Sequence, residues 1–186
     1  MGKYSMNTIE KFFDYCQKEF TYGWISQDNN RHNGQNDGRI YMLQSPEELM
    51  DSKLGICWDR AELYRDYFKH MTDFKYETYY LFYDDGKGCP SHTILVYYDN
   101  NKVYWFEPMF QDLENDYSGI HVYKHIYDLL TDFKDKWIKW AILEKRIPEN
   151  YKEENIFIYQ YDKPNYHING YEMRNHINHS KRVWKV

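Results

Sequence analysis

The sequence predicts an α+β fold, and three observations carry that prediction. Residues 7 to 20 place apolar side chains at helical spacing, and residues 54 to 68 do so again. Residues 75 to 110 then read as strand-like runs separated by short turns. Helical and strand patterns are segregated along the chain, which is the order of an α+β protein.

Each element follows from local chemistry. In "NTIEKFFDYCQKEF", Asn7 or Thr8 caps a first helix whose stripe is Ile9, Phe12, Phe13 and Cys16, extended by Phe20. Cys16 reads there as buried packing. "YGWIS" is a short extended piece, and residues 27 to 39, "QDNNRHNGQNDGR", read as a long polar loop suited to covering a site. "QSPEELMDSK" opens a second helix, with Ser45 as N-cap, Pro46 in the first turn and Glu48 completing a capping box. Gly55 ends that helix and a third begins near Cys57. Its apolar stripe is Trp58, Ala61, Leu63 or Tyr64, and Phe68, which leaves Glu62, Arg65, Asp66 and Lys69 to water. "KYETYYLFY", "SHTILVYY" and "KVYWFEPMF" form an antiparallel meander turned by "DDGKGCP" and "DNN". "GIHVYKHIYDLLTDFKDKWIKWAI" is helical over most of its length, and "ENIFIYQY" is the last strand. The tail "PNYHINGYEMRNHINHSKRVWKV" is polar and His-rich. No repeat and no linker interrupts the chain, so residues 1–186 read as one domain.

Composition narrows the function classes. Aromatics make up 20% of the chain, enough to fill a core although the mean hydropathy is -0.94. The net charge is -5 and Lys and Arg are interspersed with acids, so no basic block offers itself to nucleic acid. Single-strand binding by exposed tyrosines is the one route left to such a partner. No apolar run approaches the ~20 residues that span a bilayer. "MGKYSMNTIEKFF" has no signal-peptide stretch, and Met6 stands where a myristoylation site has Ser or Thr. A cytoplasmic protein without a membrane partner is expected, and its three cysteines, Cys16, Cys57 and Cys89, suggest no disulfide framework.

One constellation carries chemistry. A cysteine nucleophile reacts as thiolate, which a helix N-terminus favours, and it needs a base and a group to orient that base. "LGIC" puts Cys57 in the first turn of a helix. His92 opens the strand "SHTILVYY", and Glu107 ends the next, "YWFEP". If "DNN" is a tight hairpin with Tyr98 opposite Val103, Ile94 faces Glu107. His92 then lies one diagonal step away on the same side of the sheet. Taken singly, Cys57 reads as a packing thiol, His92 as a polar strand start and Glu107 as a solvated strand end. Together they form a nucleophile, a base and an orienter. The pairs His121/His125 and His176/His179 lack the context of a zinc site, and no EF-hand-like loop is present, so no metal or other cofactor is expected.

These motifs resemble the transglutaminase-like superfamily of papain-type folds over residues 45 to 110. "GICW" is similar to its nucleophile motif, "SHTILVYY" to its base strand and "YWFEP" to its acid strand. The chain further resembles uncharacterised transglutaminase-like proteins of low-GC bacteria and their phages, from "YGWI" to "YDKP". The resemblance implies a papain-like antiparallel sheet packed against the helix bearing the nucleophile. It implies Cys57 as nucleophile, His92 as general base and acid, and Glu107 as orienter, where the wider superfamily more often has Asp. Papain-type sites often take an oxyanion donor from an upstream amide, which Gln44 would supply here. Trp58 reads as core packing that also shields the site, and Cys89 as a turn residue packed beside it, with a reactive second thiol or a redox partner of Cys57 as the alternatives. The implied function is acyl transfer or hydrolysis on an amide of a protein or peptide substrate, as protease, amidase, deamidase or transglutaminase. The alternative is a catalytically silent binding or inhibitory module on the same fold.

Overall fold

Aromatic and β-branched residues in alternation favour a pleated, half-buried surface, and the longest such runs form the centre of a six-stranded antiparallel sheet. The computed structural model describes residues 4–34, 36–86, 89–109 and 117–184. Along them lie α1 (Ile9–Glu19), β1 (Trp24–Ile25), β2 (Arg31–His32), α2 (Pro46–Ser52), α3 (Cys57–Met71), β3 (Lys75–Tyr83), β4 (Ser91–Asp99) and β5 (Lys102–Glu107). Then come β6 (Gly119–Tyr123), α4 (Ile126–Leu143), β7 (Ile156–Tyr161), α5 (Gly170–Asn178) and β8 (Lys181–Trp184). The main sheet has the order β6-β5-β4-β3-β7-β8. The architecture is mixed α+β, as expected. No described helix is long and apolar enough to cross a membrane.

Period-two alternation divides the sheet into two faces. One face presents Tyr79, Leu81, Ile94, Val96 and Trp105 to Leu129, Phe133 and Trp137 of α4. The other presents Leu95, Tyr97 and Phe106 to α1 and α3, where Phe12 stacks on Tyr67 with centroids 3.7 Å apart. Thr8 caps α1 through its hydroxyl, and Ser45 and Glu48 form the capping box of α2. The β4–β5 hairpin turns through Asn100 and Asn101, both at positive φ, a conformation that asparagine tolerates. Its register pairs Tyr98 with Val103 and Leu95 with Phe106, the register that sets Ile94 opposite Glu107.

Four expectations are corrected. The loop of residues 27 to 39 contains β2, which pairs with β1 in the register Trp24 to His32; Trp24 stacks on that imidazole at 4.1 Å. Residues 119–123 are an edge strand paired with β5, so the helix begins only at Ile126. The sheet does not end with β7, because the tail folds into α5 and β8 and buries Met173, Ile177 and Trp184. The supposed wet face of α3 is not wet. Glu62 is 0% and Arg65 9% exposed, and they pair with each other at 3.2 Å while Arg65 also reaches Thr78 and the Tyr161 carbonyl. The third strand ends at Glu107; Phe110 and the turn glycine Gly88 lie outside the described residues.

Candidate active site

Cys57 is the first residue of α3, after Ile56 as a cap that offers no side-chain hydrogen bond. The first N–H groups of a helix have no intrahelical acceptor, and the side chain of the cap residue Ile56 takes none of them here. Asp59 holds the start of the helix in place. One carboxylate oxygen accepts from the Tyr41 hydroxyl at 2.9 Å and the Gln44 N–H at 3.0 Å, and the other accepts from the Ile56 N–H at 3.0 Å. Burial pushes this carboxyl up to about 7, against the pull of those hydrogen bonds.

Gly55 lets the preceding loop pass close to this anchor. A Cβ on it would stand 2.6 Å from Leu49 Cδ1 and 3.0 Å from Asp59 Cβ. Gly55→Ala is therefore expected to destabilise the fold by about 1–3 kcal/mol through overpacking. Thermal denaturation of the variant checks this, and an unchanged midpoint would show that the loop yields freely.

His92 and Glu107 come together as the hairpin register predicts. Nε2 of His92 lies 2.7 Å from Glu107 Oε2, and both side chains are 2–3% exposed. The extra methylene of Glu relative to Asp does not prevent contact. The Met109 N–H donates to Glu107 Oε1 at 3.1 Å and fixes the carboxylate. Tyr117 and Phe133 wall the imidazole, with centroids 6.0 and 6.1 Å away. Cys57 and His92 line the same cleft, and the thiol acts on the imidazole. Burial pushes the imidazolium down, but the charge and hydrogen bond of Glu107, with the neighbouring Cys57, outweigh it and raise the ring to about 9.

That shift has a stability consequence. A histidine raised from 6.5 to about 9 contributes stability that is fully present below pH 6.5 and lost as pH rises through 9. The loss is on the order of 3 kcal/mol between pH 6.5 and 9.5. Urea denaturation at stepped pH should show this decline in the wild type and a flatter curve for His92→Gln. Parallel curves would remove the shift.

A cleft of about 940 Å³ opens beside the three residues, and Cys57, Trp58, Cys89, His92 and Met109 contribute to its lining. Trp58 packs against Tyr41 and Tyr80, with centroids 5.7 and 5.9 Å away, and so walls the cleft as well as filling the core. Cys89 is half-buried at the same cleft; burial pushes its thiol up while Arg174 draws it back. All three cysteines are free, and Cys16 is fully buried.

Gln44 is not brought to the cleft. Its amide nitrogen donates to the Leu54 carbonyl at 2.8 Å and its oxygen accepts from Ser52 Oγ at 2.7 Å. It braces the loop before Cys57 rather than facing a substrate. The histidines set aside as metal ligands are also engaged locally. His121 contacts the Tyr117 carbonyl at 2.9 Å, His176 the Asp162 carbonyl at 2.9 Å and His179 the Asn175 carbonyl at 2.7 Å, while His125 only occupies the N-cap position of α4, without a side-chain capping bond. Asp59 escaped the sequence reading. An acid at the third position of a helix is a capping signal, but nothing local says that it is buried.

Compared with known proteins, the sequence matches no family model and no curated protein.

Proposed function

We propose that the protein is a cysteine-dependent acyl-transfer enzyme acting on amides, with a transglutaminase-like, papain-type arrangement of its site. One observation carries the reading. A cysteine at a helix start and His92 line one cleft, and a buried carboxylate lies 2.7 Å from the His92 Nε2. The order helix start, strand start and next strand end along the chain supports it too.

In this mechanism Cys57 sulfur attacks the amide carbonyl carbon. An imidazolium beside the sulfur favours the thiolate, and Glu107 keeps the ring oriented and charged. The developing oxyanion accepts hydrogen bonds from the N–H groups at the start of α3. His92 then delivers its proton to the departing nitrogen, the C–N bond breaks and a thioester remains on Cys57. Water or an amine, its proton taken by His92, attacks the thioester and releases the cysteine. Water gives hydrolysis or deamidation, and an amine gives transamidation.

β-Casein with dansylcadaverine tests all these outlets together. Fluorescence on casein reports transamidation, released ammonia reports deamidation, and fragments report proteolysis. At least one signal is expected with the wild type and none with Cys57→Ala. Equal signals from both proteins would defeat the proposal.

A further inference from the structure

The cleft beside Cys57 is cationic in a chain whose net charge is -5. Arg60, Arg146 and Arg174 line it, and Asp84 is the one carboxylate among its described lining residues. Arg60 is 5% exposed, and its Nε donates to the Gly55 carbonyl at 3.2 Å. None of the three arginines has a carboxylate partner within ion-pair distance among the described residues. A guanidinium that is buried without a counter-charge is costly. One that also opens on a cleft is a place for a ligand's anion, and its planar fork matches a carboxylate.

Arg60 follows Cys57 by three residues on α3, about one helical turn, and all three arginines line the same cleft as the nucleophile. Tyr22, 49% exposed, lines the cleft together with Cys57, Arg60 and Arg146. Arg174 lines the cleft together with Cys89, whose thiol its charge draws down against the push of burial. The three guanidinium groups and Cys57 thus share one cleft.

We infer that the cleft holds a carboxylate-binding subsite, formed by Arg60, Arg146 and Arg174, and that the substrate is an acidic peptide carrying a carboxylate near the amide that Cys57 attacks. This inference rests on the proposed role of Cys57. Amide chemistry points to peptides, and the anionic group that peptides carry is the carboxylate.

Two reagents with the same leaving group but different charge test it. Iodoacetate and iodoacetamide each form a thioether at cysteine and release iodide, and only iodoacetate carries a carboxylate. The rate ratio of iodoacetate to iodoacetamide at Cys57, measured by peptide mapping, is expected to exceed that of glutathione by about tenfold at low salt and to shrink as salt screens the cleft. Arg60→Gln and Arg174→Gln should each lower the ratio severalfold. Arg174 is only half-buried, so its variant serves if Arg60→Gln does not fold. Rapid labelling by both reagents with the ratio of glutathione would overturn the subsite and leave the nucleophile standing. A high ratio untouched by both substitutions would assign the attraction to His92 and also overturn it. Cys57 no more reactive than Cys16 with either reagent would remove nucleophile and subsite together.

Discussion

With His92 replaced by glutamine, acylation of Cys57 by p-nitrophenyl acetate at pH 7 falls by about a hundredfold or more. General acid–base catalysis by a positioned side chain contributes typically 10²–10⁴-fold, and His92 is the one imidazole at the cleft. Glutamine is chosen because Glu107 is 2% exposed. Alanine would strand that buried carboxylate and mix a stability loss of about 3–5 kcal/mol into the result, whereas an amide still donates to it. Glu107→Gln makes the complementary case. It keeps a hydrogen-bonding group but deletes the charge that does most to raise the ring. The pH at which the ring gives up its proton should then move down, and the pH–rate profile with it. Stopped-flow release of p-nitrophenolate reads both variants. A His92→Gln rate within a fewfold of wild type would show that the imidazole does not serve the cysteine.

Asp59→Ala is expected to destabilise the protein by about 3–5 kcal/mol, a large fraction of the ~5–15 kcal/mol that holds a typical domain together. The carboxylate is fully buried and receives the Tyr41 hydroxyl and the N–H groups of Gln44 and Ile56. Alanine leaves all three donors without an acceptor, and each buried unsatisfied group costs about 1–3 kcal/mol. Asp59→Asn should cost less. Its oxygen keeps the Tyr41 and Gln44 side, and only the Ile56 N–H then faces a second donor. Urea denaturation orders the two variants. The same anchor fixes the loop and first turn that present Cys57, so Asp59→Ala should also slow acylation of Cys57 in the fraction that remains folded. An alanine variant as stable as the wild type would mean that the helix start is held by packing alone.

The parts of the site set by short-range rules were legible in the sequence. The partnership of His92 and Glu107 followed from a two-residue turn of asparagines and from period-two alternation, and both depend on local backbone geometry. The capping box of α2 and the start of α3 were local in the same sense. Longer-range facts were not legible. Helical periodicity assumes one wet face, but α3 lies between the sheet and α2, with α5 also in its neighbourhood, so Glu62 and Arg65 are buried and must satisfy each other. Residues 119–123 continue an apolar pattern into α4, and a five-residue strand is too short for periodicity to separate from the helix that follows. The direction of the Gln44 amide depends on Ser52 and Leu54, which spacing does not predict. α5 was the avoidable miss, because Asn169 and Glu172 form a capping box visible in the tail.

The most direct test of the central claim is to find where the acyl group goes. The wild-type protein is mixed with p-nitrophenyl acetate at pH 7, quenched in acid within the first turnover, and digested for peptide mapping by mass spectrometry. A single acetyl thioester on Cys57, released by hydroxylamine and missing from Cys57→Ala, is the predicted result. Acetyl groups scattered over lysines and tyrosines, with Cys57 unmodified, would contradict it.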